Sequence, residues 1–243
     1  MCDIVDVSDR VRRHLEALPQ LAQKLAEVEA SLGRAVRFGA DPSLAGYAAA
    51  RTKKPQGRVF LRPDCVEDLS TIGEEIMHLH RMAERYPVIK PLQRAANDGY
   101  ADVLNALTGF FEEHAFFPFL EELGLDPRRS VGQTVRDSLG MLPQLLPRIA
   151  RWQEPMRRVK LSALFVQTDL MAPDSEHRTE LLRAFERPLL DAGREVGSSL
   201  CDQIRAARDD PPQDVEARME RCVERLRLPG DAAVVVVEPF QPG

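Results

Sequence analysis

Two short stretches that alternate polar and apolar residues interrupt a chain whose apolar residues otherwise recur at helical spacing. The first is Ala35, Val36, Arg37 and Phe38; the second runs from Arg58 through Val59, Phe60 and Leu61 to Arg62. Alternation with a period of two places one row of side chains in a core and the other in solvent, as a half-buried strand does. Lys53, Lys54, Pro55, Gln56 and Gly57 lie between the two and form a turn signal. The expected class is α+β, mostly helical, with a short sheet placed early in the chain.

Helical periodicity fills the rest. Val11, Leu15, Leu18, Leu21, Leu25 and Val28 share one face over residues 8–32, with Ser8 as the expected N-cap, Pro19 as a kink or break and Gly33 as the stop. Residues 66–84 form a second helix, capped by Asp64 or a neighbour and ended by Tyr86 and Pro87. A third is expected from about Asp98 to Phe117, with Pro118 near its end. From Ser130 onward the chain reads as helices, the last two covering residues 175–208 and 212–227. The β-prone run from Ala232 to Val237 is an edge strand or a partner-binding tail. The expected organisation is one domain over residues 1–128 and a helical portion over 129–243 that packs on it.

Charge and composition remove several function classes. The net charge is −5, so no basic excess points to nucleic acid. The apolar runs fall far short of the ~20 residues that a membrane span needs, and no signal peptide is read at the N-terminus. The four cysteines (Cys2, Cys65, Cys201 and Cys222) form no C-x-x-C pair, so a cytoplasmic protein with reduced thiols is expected.

The chemistry is concentrated in the helix over residues 66–84. At about 100° per residue, Leu69, Ile72, Gly73, Ile76, Leu79 and His80 fall on its core side. Glu74 and His78 are four apart on the other side, and Glu75 lies beside His78. This is the geometry of H-E-x-x-H, in which residues i and i+4 ligate one metal and the glutamate after the first ligand takes the proton of the attacking water. Here glutamate occupies the first position. Carboxylate also ligates zinc, but it adds negative charge, weakens the acidification of bound water and favours harder ions such as Mn or Mg. His80, on the core side, is expected to be a buried, hydrogen-bonded histidine.

The third ligand is expected about 35 residues downstream, in the segment that contains Glu112, Glu113 and His114. Val103, Leu107, Phe110, His114 and Phe117 share an apolar stripe, so His114 is a core residue or a ligand. Glu113 flanks that stripe beside Ala106 and Gly109. Glu112 points elsewhere.

Taken together, the strand over residues 58–62, the motif helix with Tyr86 and Pro87 after it, and Glu113, His114 and Pro118 resemble compact bacterial zincin-like metallopeptidases of the glutamate-ligand type. The group resembled includes the ImmA/IrrE-like proteins and uncharacterised relatives. The resemblance covers residues 33–125. It implies a zincin-like minimal domain, zinc, Glu75 as general base, His78 as a ligand and Glu113 as third ligand, with His114 in reserve. Glu74 stands where the family has histidine. A protein or peptide substrate would add to the strand near Val59–Leu61, with Tyr100 a weak candidate for stabilising the oxyanion. Two other readings remain: an inactive zincin-fold protein that binds a protein partner, and a helical carboxylate metal oxidase, for which Glu75-x-x-His78 would need a second E-x-x-H that the chain lacks.

Overall fold

Pro19 divides the first helical region rather than kinking it. In the computed structural model, which describes residues 4–44, 48–51, 57–91, 98–151, 154, 156–228 and 232–236, strand β1 (Val5–Asp6) leads into α1 (Ser8–Leu15), and α2 starts at Pro19 and runs to Leu32. Proline is tolerated at a first helical turn because its missing N–H has no intrahelical partner there. Ser8 is not the cap; it is the first helical residue, and its hydroxyl accepts from the Phe38 amide at 2.9 Å. Gly33 closes α2 in the left-handed region at φ 66°.

The chain then forms β2 (Arg37–Ala40), β3 (Ala48–Arg51), β4 (Arg58–Leu61), α3 (Leu69–Ala83), β5 (Pro87–Pro91) and α4 (Asp98–Glu122). It continues through α5 (Arg129–Ile149), α6 (Met156–Val166), α7 (Arg178–Ala184), α8 (Pro188–Ala207), α9 (Pro212–Arg225) and β6 (Ala232–Val236). The class is α+β and mostly helical. No helix among the described residues is long and apolar enough to cross a membrane.

The contacts divide the chain into two units. The first comprises Met1–Tyr86, Phe116–Pro127 and Val237–Gly243, and the second Pro87–Ala115 and Arg128–Val236. Helix α4 runs without a break from the second into the first and continues past Pro118 to Glu122.

The first unit holds a four-stranded sheet in the order β1-β2-β4-β3. Strand β4 runs parallel to β2, and β1 and β3 lie antiparallel on the outside. This corrects the expectation of a free edge at Val59–Leu61: β4 is internal, because β3 hydrogen-bonds along its other side. Helices α1, α2 and α3 contribute Val11, Leu15, Leu21, Leu25, Val28, Ile72, Ile76 and Leu79 to the core, and Phe116, Phe117 and Leu120 come from the end of α4. The cap of α3 is Asp68, four residues after the expected Asp64. Its carboxylate accepts from the Ser70 amide at 3.2 Å and the Thr71 hydroxyl at 3.0 Å. The Ser70 hydroxyl in turn accepts from the Asp126 amide at 3.0 Å, tying the turn after α4 to the start of α3.

The second unit joins β5 and β6 as an antiparallel pair, in the register Pro87↔Val236 to Pro91↔Ala232, and α9 packs on it. The 232–237 run is thus a paired strand over its first five residues; Val237 lies outside the described residues. The 175–208 region is two helices, parted before Pro188. Cys201 and Cys222 are buried, unpaired thiols that burial pushes up to about 12.

Candidate metal centre

Helix α3 carries the first two ligands because its apolar stripe commits one side to the core. Ile72, Ile76 and Leu79 are fully buried there, while Glu74, Glu75 and His78 are half-buried on the other side. Gly73 precedes the motif. A Cβ at this position would come within 3.1 Å of Leu120 and 3.3 Å of Leu125 and Leu21, so the bare glycine lets α2 and the end of α4 approach α3 closely. This close approach seats Phe116, whose ring meets the His78 imidazole edge-on at 5.1 Å between centroids and 89°.

Glu113 lies one turn before Phe116 on the same unbroken helix, and residues three apart share a helical face. A carboxylate oxygen of Glu74, a ring nitrogen of His78 and a carboxylate oxygen of Glu113 all lie within 4.8 Å of one another. Gly109 contributes to this arrangement. Its absent Cβ would sit 3.1 Å from Glu113 Oε1, so the space is taken by the Glu113 carboxylate folded back over the preceding turn. The small residue therefore makes room for the ligand itself.

No protein-family model, curated protein or solved structure matches this chain.

The donor set suits a divalent ion. Zinc–ligand bonds of about 2.1 Å place tetrahedral ligands about 3.4 Å apart, and small side-chain rotations bring atoms inside 4.8 Å to that spacing. Two carboxylates and one imidazole bring two negative charges, which balance a divalent cation. Zinc accepts such a set, and harder ions such as manganese accept it as well.

The other candidate residues are placed differently. Glu75 is half-buried on α3, next to Glu74 and three residues before His78 in sequence. His114 is not part of the three-donor group. Its Nδ1 is buried and without a hydrogen-bond partner. Burial, then the charges of Arg208, Arg128 and Arg205, push its imidazole down to about 4. His80 is buried, as its position predicts. Its Nε2 lies 2.7 Å from Glu27 Oε2 and 3.3 Å from Lys24 Nζ, and Glu84 Oε2 is 3.5 Å from Nδ1. The His80 hydrogen bond, then that of Lys24, hold the Glu27 carboxyl down at about 2. Cys65 is buried and its thiol is raised by burial, so it is a core residue rather than a reactive helix-end thiol. The Tyr100 side chain, Cys2 and residues 52–56 lie outside what is described.

The His114 environment gives a pH prediction. The folded chain keeps this imidazole neutral below the pH at which the unfolded chain protonates it. The stabilisation is complete above pH 6.5 and is lost as pH falls from 6.5 towards about 4. Denaturation midpoints measured across that window should fall less steeply in His114→Gln than in the parent. Parallel curves would reject this account.

Proposed function

We propose that this chain is a divalent-metal-dependent hydrolase of zincin-like peptidase type, with Glu74, His78 and Glu113 as ligands and Glu75 as general base. The observation that carries the reading is the convergence of two carboxylates and an imidazole from α3 and α4, in the order the resemblance implies. When bound, a divalent ion, zinc being the first candidate, supplies Lewis-acid polarisation of a carbonyl and acidifies water. The residues of the chain do the rest. The Glu75 carboxylate takes a proton from the attacking water and passes it to the leaving amine. Phe116 fixes the plane of the His78 ring. The outer edge of β3, unpaired among the described residues and packed near α3, offers backbone groups to an extended peptide. The partner is then a protein or peptide, and neither nucleic acid nor membrane is involved.

Glu74 in place of histidine favours a second reading, a zincin-like protein that binds metal and a protein partner without turnover, because a charge-balanced centre acidifies water weakly. One experiment separates the two. Metal content is measured on protein purified without chelators, and cleavage of an unstructured protein substrate is followed for the parent and for Glu75→Gln. The hydrolase reading expects bound metal in both and a loss of cleavage of at least about a hundredfold in the variant. Metal with no cleavage in either selects the second reading. No bound divalent ion in the parent rejects both.

A further inference from the structure

Helix α1 turns Val11 and Leu15 into the core, which leaves its arginines to the other sides. Pairing of β1 with β2 brings a further arginine to them: Val7 donates to the Phe38 carbonyl at 2.9 Å, and Asp6 stands opposite Gly39. A cavity of about 610 Å³ lies there, within the range of small-molecule sites. Arg10, Arg12 and Arg13 of α1 line it with Arg37 of β2, and so do Asp6 and Asp9. Four guanidinium groups against two carboxylates give the lining an excess of positive charge, in a chain whose net charge is −5. Arg10 and Arg13 also line a smaller groove of about 360 Å³, together with His14 and Glu67.

Two of the four guanidinium groups are committed to the protein. Arg12 pairs with Glu29 and donates to the Val36 carbonyl at 2.9 Å. Arg10 pairs with Glu67. The other two have donors to spare. Arg13 is exposed, and its one hydrogen bond among the described residues runs from Nε to the Asp9 carbonyl at 3.4 Å, so both terminal nitrogens are open. Arg37 is exposed and meets Asp6 at 3.6 Å, beyond hydrogen-bond length. That carboxylate already accepts from the Ser8 amide at 2.9 Å. Two guanidinium groups with open donors on one cavity match an oxyanion, which accepts from both.

We infer that Arg13 and Arg37 form an anion-binding site in the first unit, which receives the phosphate or carboxylate group of a small molecule. Arg10 and Arg12, held by Glu67 and Glu29, frame it. The site is separate from the proposed metal centre. None of Glu74, His78 and Glu113 lines the cavity, and β4 stands between β2 and the β3 edge. The anion site therefore does not rest on the hydrolase reading.

Titration of the full chain with inorganic phosphate and with acetate tests this, read on the nitrogen–proton resonances of the arginine Nε–H groups. Ionic strength is held constant with chloride, and the protein is first treated with chelator and dialysed, so that no anion is held by a metal. The expected result is a saturable shift of Arg13 and Arg37. Arg13→Gln should weaken the affinity about tenfold, and Asp9→Asn should tighten it by removing a repelling charge. Arg13 is exposed and bonds only within its own helix, so its variant should keep the parent's melting temperature. Arg225→Gln, on an exposed position of α9, is the control and should leave the affinity unchanged. The tighter of the two probes identifies whether phosphate or carboxylate is the group received. Absence of a saturable shift with either probe overturns the inference. So does equal weakening by Arg13→Gln and Arg225→Gln, which would reduce the effect to general surface charge, and so does weaker anion binding in Asp9→Asn.

Discussion

Replacing His78 with alanine should lower metal affinity by at least about a hundredfold, since losing even a group that only supports a ligand costs 10–100-fold. His78 is the one nitrogen donor of the three, and its ring is held edge-on by Phe116. Alanine removes the donor and leaves two carboxylates, whose mutual repulsion opens the site. Glu113→Gln should also weaken binding, because an amide oxygen ligates without the charge that balances the ion. Glu74→His should act in the opposite direction for zinc. It exchanges a carboxylate for a second imidazole and leaves one net positive charge on the centre, so water is acidified more and cleavage rises. Equilibrium dialysis of the three variants against zinc and manganese reads all of this. Equal metal content in the parent, His78→Ala and Glu113→Gln would remove the site.

Gly193→Ala should cost the fold about 2 kcal/mol, although alanine is the better helix former by about 1 kcal/mol. Helices α6 and α8 pack through two glycines of α8, Gly193 and Gly197, which receive Leu161 and Phe165 of α6. A Cβ on Gly193 would lie 2.4 Å from Leu161 Cβ and 3.1 Å from the Leu161 carbonyl carbon. Those atoms are fixed to the α6 backbone, so no rotamer change relieves the overlap and the helices must part. At Gly197 the Cβ would meet Phe165 Cβ at 2.7 Å, and the Phe165 ring is already seated edge-on against Phe185 at 5.2 Å. Gly132 and Gly140 on α5 are the internal controls. Nothing lies within 4 Å of a Cβ at either position, so alanine there should stabilise by up to about 1 kcal/mol. Urea denaturation of the four single variants compares them directly. A Gly193→Ala protein as stable as Gly140→Ala would show that the helices can separate at little cost.

Local chemistry was legible in the chain itself. Gly33 ends α2 because only glycine takes φ 66° cheaply, and the stripe of Ile72, Ile76 and Leu79 orients α3 by spacing alone. The same spacing assigned Glu74 and His78 to one side and His80 to the other. The caps lie at Val7, one residue before Ser8, and at Asp68, four residues after Asp64, since a cap depends on where the backbone leaves the helix and several polar residues compete nearby. Strands β3 and β5 were not recognised. Ala48–Arg51 carries no alternation, and Pro87–Pro91 is bounded by prolines and pairs with a segment far along the chain.

The sequence by itself determined a mostly helical α+β chain and the side of α3 that bears the acidic motif, because helical and strand periods act over a few neighbouring residues. Only the tertiary structure decided that β4 is interior, that Glu113 and not His114 joins Glu74 and His78, and that Arg13 of α1 and Arg37 of β2 line one cavity. Those outcomes depend on distances between elements, and these are set by contacts such as Gly73 against Leu120 and Gly193 against Leu161, where a missing Cβ has no periodic signature.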